Sequence, residues 1–373
     1  TETEEQASAA EGEEAQSRAR LKLRSRKGGA AIPLDDVDRR IMNLMQSSFP
    51  LDPEPFALVA SEAELELDDV LARTQRLLEG RIIREITPIF DTRALGYESM
   101  LVAAKVDAEN PQRAAAAVNA HPGVSHNYLR THDFNLWFTI AVPPDSELGM
   151  EGTLEALMRE TGAESMRQLP TLTLFKINMN LEMEKGTDAL AAAVEAAPPR
   201  ELEPQPYDER DVAVIRALQG PMAAVERPYD EAAAELGLST EALLDHLQGM
   251  VDRKLLRRVA AILFHRRAGF SANGMGVWKV PEEDILEVGR RMAAFRGISH
   301  CYQRPTYEDW PYSVFTMAHG RSKQECDAIL DSIAAECGMG PDDRATLYSS
   351  TEYKKIRLHY FTDEYAAWEA EHS

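Results

Sequence analysis

The stretch "GVSHNYLRTHDFNLWFT" (Gly123–Thr139) has an echo about 174 residues later in "GISHCYQRPTYEDWPYSVFT" (Gly297–Thr316). Each writes Gly-hydrophobic-Ser-His-x-Tyr-x-Arg and runs on into a β-like segment containing Phe-Thr. Working outward, "LDDVDRRIMNLMQ" (Leu34–Gln46) answers "YDERDVAVIRALQ" (Tyr207–Gln219), and "GRIIREITPIFDTRALGY" (Gly80–Tyr97) answers "RKLLRRVAAILFHRRAGF" (Arg253–Phe270). "AAKV" (Ala103–Val106) likewise answers "VWKV" (Val277–Val280). A nearly constant offset across segments of different composition is an internal duplication.

Within each copy the hydrophobic period changes from helical to strand-like. Ile41, Leu44 and Met45 share one helical face after a cap at Asp35 or Asp36, and Leu67, Val70, Leu71, Thr74, Leu77 and Leu78 form another. The second copy repeats this over "EAAAELGLSTEALLDHLQGMVDRKLL" (Glu231–Leu256), with Ser239 or Thr240 as N-cap. With the β-like segments that follow, each copy reads as a winged helix-turn-helix. Next come "ESMLVAAKV", an Ala-rich helix, "GVSHNYLRT", "FNLWFTIAV", "MEGTLEALMRET" and "TLTLFKINMN". That β-α-β-β-α-β order is ferredoxin-like, and the second copy matches it through "GMGVWKV", "GISHCYQR", "YSVFTMAH" and "EYKKIRLHYF". The expected fold class is therefore α+β, two tandem modules each joining a winged helix to a ferredoxin-like domain. The boundaries read as a disordered tail over 1–30, winged helix 1 over 31–90, ferredoxin-like domain 1 over 91–183, a Pro-rich linker over 184–206, winged helix 2 over 207–262 and ferredoxin-like domain 2 over 263–373.

Composition limits the function. The chain has 373 residues, 44% of them hydrophobic, which is enough for more than one domain core. Its apolar runs are shorter than a membrane helix needs and its start lacks a signal-peptide pattern, so a soluble, cytoplasmic protein is expected. Cys301, Cys326 and Cys337 have no metal-ligand or disulfide spacing and read as free thiols. The net charge is −21, and residues 1–30 hold six Glu against six Lys or Arg, so the deficit falls on the folded body. Phosphate backbones are repelled by such a body. The segments in the place of recognition helices carry Glu64, Glu66, Asp68 and Asp69 in one copy and Glu241 and Asp245 in the other, with no arginine in the second until Arg253. No nucleic-acid partner is expected; these helices read as scaffolding or dimer contacts.

A winged helix joined to a ferredoxin-like domain is the layout of Lrp/AsnC regulators. The segments "VSHNYLR", "FNLWFT", "HRRAGFSANGMGVWKV", "GISHCYQRP" and "YSVFTM" resemble the siroheme decarboxylases, Lrp/AsnC-like proteins usually built from two related polypeptides. Over about residues 31–370 the chain is similar to a natural fusion of both. The resemblance implies that two acetate side chains of siroheme lose carbon dioxide to give didecarboxysiroheme. It implies no cofactor beyond the iron of the siroheme substrate, a homodimer of fused chains, and contact with other tetrapyrrole-biosynthesis enzymes. It also makes His265, in the "HRRAGF" segment, a candidate axial ligand to the substrate iron.

Such a substrate asks for fixed cations against its carboxylates, flat apolar walls, and a proton donor for the carbanion that decarboxylation leaves. Side chains alternate along a strand, so His126, Tyr128 and Arg130 share one face, as do His300, Tyr302 and Arg304. His126 and His300 are the candidate acids, titrating near neutrality. Tyr128, Arg130, Tyr302 and Arg304 are candidate carboxylate ligands, with His132, Lys105, Lys279, Arg266, Lys354 and Lys355 as further polar candidates. Trp278, Trp137 and Phe270 are candidate walls. Plainer roles stand beside these: the arginines bridge to nearby acids, the tyrosines and tryptophans pack, His121 sits at a turn, and Met179 and Met183 fill core. The longer loop "PTYEDWPYSVFT" of the second copy points to only one half keeping a complete pocket. Competing functions are a tetrapyrrole-sensing regulator that also binds DNA, and an amino-acid-binding assembly protein, which leaves the His-Tyr-Arg repeat unexplained.

Overall fold

A computed structural model describes residues 33–177, 203–264 and 272–373. The tail over 1–30, most of the linker, Met179, Met183, His265, Arg266 and Phe270 lie outside the described residues. The first copy runs α1 (Asp36–Ser47), α2 (Pro55–Ala63), α3 (Leu67–Glu79), β1 (Ile83–Phe90), β2 (Glu98–Lys105), α4 (Pro111–Ala120), β3 (Val124–Arg130), β4 (Leu136–Val142), α5 (Gly149–Thr161), β5 (Ser165–Leu169) and β6 (Thr173–Ile177). The second runs α6 (Glu209–Leu218), α7 (Asp230–Glu235), α8 (Thr240–Asp252), β7 (Leu256–Leu263), β8 (Ala272–Trp278), α9 (Ile285–Ala294), β9 (Ile298–Gln303), β10 (Val314–Gly320), α10 (Lys323–Cys337), β11 (Arg344–Lys355) and α11 (Asp363–His372). Among the described residues no helix is long and apolar enough to cross a membrane.

The helical halves start alike. Asp35 caps α1 in a reciprocal box with Asp38, and Asp208 does the same for α6 with Asp211. Ser239 caps α8, accepting from the Ala242 amide. The wings depart from expectation, because neither copy makes its own. β1 and β7 pair antiparallel with each other, from Ile83 opposite Leu263 to Phe90 opposite Leu256. Each strand satisfies the other's backbone groups. Ile41, Met45, Phe56, Leu77 and Ile86 then share one core with Ile215, Leu243, Leu247 and Met250.

Three arginines of that shared body are committed to buried acids. Asp38, fully buried, is held by Arg73 at 3.0 Å and Arg76 at 2.6 Å from α3. Asp211, also buried, is held by Arg253 at 2.7 Å and His246 at 2.9 Å. Removing one side of such a pair strands the other's charge, so Asp38→Asn is expected to lower stability by about 3 kcal/mol, read from its denaturation midpoint.

The ferredoxin-like halves form one nine-stranded sheet among the described residues, in the order β5-β2-β4-β3-β11-β8-β10-β9-β6. Each copy keeps the ferredoxin order within it, and the two exchange strand ends. "TLTLFKINMN" does not complete the first copy's own sheet as expected: β5 pairs with β2, the chain turns at Pro170, and β6 crosses to pair with β9. Nor does "EYKKIRLHYF" complete the second. The first part of β11 pairs with β8 and its last part with β3. On one face of that sheet Ala103, Trp137, Leu169, Val277, Trp310, Phe315 and Leu347 make an apolar layer. The extra residues of the second copy pack there: Trp310 is fully buried, and Asp309 binds Arg167 at 2.8 Å. The C-terminal helix α11, absent from the sequence reading, covers the first copy's outer core with Tyr365 and Trp368.

Candidate active site

Both motifs turn their His, Tyr and Arg to the side of the sheet away from the helices. Tyr128 lies opposite Trp137 and Tyr302 opposite Phe315, residues of the apolar layer. Asn127, one step away, instead donates to the Ala115 carbonyl on α4. In each copy the rings follow one another, with centroids 6.1 Å apart for His126 and Tyr128 and 5.9 Å for His300 and Tyr302. The Phe-Thr echo falls out of register by one residue. Trp137, not Phe138, takes the place of Phe315, and Thr316 is buried with Trp278 Nε1 donating to it at 2.9 Å.

Arg130 and Arg304 are each only 9% exposed. Arg130 donates to the Leu347 carbonyl at 3.4 Å and Arg304 to that of Leu169, and in both the Nε has no partner. The guanidiniums lie over Tyr128 at 5.6 Å and Tyr302 at 4.9 Å. Among the described residues no carboxylate pairs with either, so the bridging to nearby acids offered as the plainer role is not what the structure places there. Burial lowers both pKa values to about 10. A guanidinium without a counter-ion in so dry a place is costly, and an anion is the partner such a site lacks.

The histidines differ from expectation in one respect. Burial, helped by Lys355 and Arg84, lowers His126 to a pKa of about 4. Burial, helped by His319 and Arg304, does the same for His300. Both rings are therefore neutral in the unliganded protein, rather than titrating near pH 7. Each Nδ1 is engaged by the preceding serine, at 2.9 Å for Ser125 and 2.6 Å for Ser299, which turns Nε2 outward.

Several candidates sit elsewhere. Trp278 is fully buried in the second copy's outer core, so it is not a wall for a ligand. Lys105 pairs with Glu164 at 3.0 Å, at the far end of β2 from the His126 row. It shares a cavity of about 480 Å³ with His132, whose ring meets Trp310 at 5.1 Å. Lys279 lies over Tyr312. Lys354 donates to the carbonyls of Asn119 and His121, while Lys355 lies opposite His126 and joins that motif. His121 is buried beneath Trp368 of α11.

Three residues escaped the sequence reading. Arg84, which pairs with Glu85 at 3.5 Å, and the exposed Arg93 come from the helical body; the charge of Arg84 is felt at His126 and that of Arg93 at Tyr302 and Arg304. Arg93 stands at the same offset from Arg266 as the other repeated residues, a signal that was available. His319 meets Ser299, and no repeat marks it, because Ala141 is its counterpart: the Ala141 amide donates to Gly123 and the His319 amide to Gly297.

Two tandem helix-turn-helix and AsnC-like modules, with a repeated cation-and-histidine face, define the class. Family models agree: "AsnC-like ligand binding domain" matches residues 94–176 and 267–354, and "Siroheme decarboxylase NirDL-like HTH domain" matches 38–84 and 211–257. The chain is 41% identical over 330 residues to "Siroheme decarboxylase" of Hydrogenobacter thermophilus, covering 88% of this chain and 96% of that one. It is 37% identical over 153 residues to "Siroheme decarboxylase beta subunit" of Methanosarcina barkeri, which spans 40% of this chain and is covered over 99% of its own length. The structure titled "Crystal structure of the siroheme decarboxylase NirDL in co-complex with iron-uroporphyrin III analogue" matches with a TM-score of 0.72 and 36% identity, over 90% of this chain and 98% of that one. The chain belongs to the siroheme decarboxylase family.

Proposed function

We propose that this chain removes carbon dioxide from two acetate side chains of siroheme, giving didecarboxysiroheme, with His126 and His300 as proton donors. Arg130 and Arg304, helped by Tyr128, Tyr302, Arg84, Arg93 and Lys355, hold the carboxylates. The observation that carries this reading is the pair of buried guanidiniums that have no acid partner among the described residues. In each step the bond from the acetate methylene to its carboxylate breaks, and the electron pair stays on the methylene carbon, conjugated with the macrocycle. A proton from histidine Nε2 then completes the methyl group. The substrate's own ring takes the electron pair, so no organic cofactor enters the scheme. The test is anaerobic incubation of the whole chain with siroheme, with release of carbon dioxide expected; siroheme bound but unchanged would favour the sensing regulator. That alternative needs free cations on α3 and α8, whereas Arg73, Arg76 and Arg253 are spent on Asp38 and Asp211. A homodimer of fused chains is part of the same reading.

The histidines give this reading a pH signature. They are neutral when free, with pKa values of about 4, and a carboxylate arriving beside them raises those values. The complex then holds more protons than its separated parts, so binding takes up protons. Affinity for siroheme is expected to fall as pH rises through the raised pKa, by up to about tenfold per pH unit per proton. Fluorescence quenching by siroheme at several pH values measures this; flat affinity would mean that no histidine is protonated on binding.

A further inference from the structure

Among the described residues, the second motif has a hydrogen-bonded chain behind its histidine that the first lacks. Asn273 Oδ1 meets His319 Nδ1 at 2.8 Å, His319 Nε2 meets Ser299 Oγ at 2.5 Å, and Ser299 Oγ meets His300 Nδ1 at 2.6 Å. An amide oxygen only accepts, so His319 carries its proton on Nδ1 and, when neutral, accepts at Nε2. Ser299 therefore donates to His319, and its oxygen accepts from His300 Nδ1. His300 is fixed in the Nδ1–H tautomer, with Nε2 as its reactive atom. In the first copy Ala141 occupies the His319 position, and among the described residues Ser125 has no such third member to orient its hydroxyl.

Resting on the decarboxylase reading, we infer that His319 is a positioning residue that fixes the tautomer of His300 through Ser299, making the second motif the better equipped of the two to deliver the proton. A second difference points the same way. Across the sheet, His126 faces the cationic Lys355, whereas His300 faces Ile177. The first surrounding holds a carboxylate in place. Among the described residues, the strand beside the second histidine thus sets an apolar side chain where the first has a cation. The cycle balances: solvent supplies one proton to His300 Nε2, and the imidazolium passes that proton to the methylene carbon as carbon dioxide leaves. The ring returns neutral in the same tautomer, with no rotation or proton exchange at Nδ1.

The experiment compares wild type, His319→Ala and Asn273→Ala as whole chains, in anaerobic steady-state turnover of siroheme. His319→Ala is expected to lower kcat roughly 100-fold with KM little changed. Added imidazole should restore much of that loss, whereas pyrazole, of similar size but far less basic, should not. Asn273→Ala is expected to give a smaller fall of the same kind, and it keeps the test open should His319→Ala fail to fold. Near-wild-type kcat in both variants would overturn the inference and leave the decarboxylase reading standing. Equal rescue by pyrazole would overturn it too, showing that the imidazole merely fills space. A wild type without turnover would instead fail the reading beneath it.

Discussion

His300→Ala is expected to lower siroheme turnover by roughly 1,000-fold, the largest single loss in the molecule. The ring is half-buried, its Nδ1 is engaged by Ser299, and Nε2 is the atom it offers to a substrate. Without it, a carbanion in this partly dry site has no oriented acid and must wait for water. His126→Ala is expected to cost less in kcat and more in binding, since Lys355 lies across the sheet from that ring and the charge of Arg84 is also felt there. Single variants assayed separately decide the matter. Near-wild-type turnover in both would remove these histidines from the chemistry.

The second large effect has opposite signs in two measurements. Arg304→Met and Arg130→Met should each weaken siroheme binding by about 2–5 kcal/mol, the usual cost of deleting one side of a buried charge pair. The same substitutions should raise the denaturation midpoint of the unliganded protein, by about 1–2 kcal/mol of stability, because each removes a buried cation without a counter-ion. Affinity and stability falling together would mean that the hydrogen bonds to Leu347 and Leu169 are what the arginines are for.

Local pattern made much of this legible. The caps at Asp35 and Ser239, the order of elements in each copy, and the shared face of His, Tyr and Arg all follow from residues within a few positions of one another. Pairing between distant segments was not legible. Nothing in "RIIREITPIF" says that its partner is the other copy's strand, and nothing in β6 or β11 says that the chain there pairs with the other copy's strands. Duplicated sequence shows that two copies exist; how they exchange strands is decided by the fit of whole faces.

The site shows the same division. Repetition singled out His126 and His300, but it could not show that Trp278 packs in the core or that Lys105 is committed to Glu164. Repetition also hides what only one copy has, and His319 opposite Ala141 is such a case. The histidine pKa values were beyond reach for another reason: desolvation depends on what the fold stacks above the strand, not on the strand's own residues.

Mass spectrometry of the tetrapyrrole extracted after anaerobic incubation with siroheme in heavy water tests the central claim most directly. The expected product is lighter by two carbon dioxide units and carries one solvent deuterium in each new methyl group. Unchanged siroheme, or methyl groups without solvent deuterium, would contradict it.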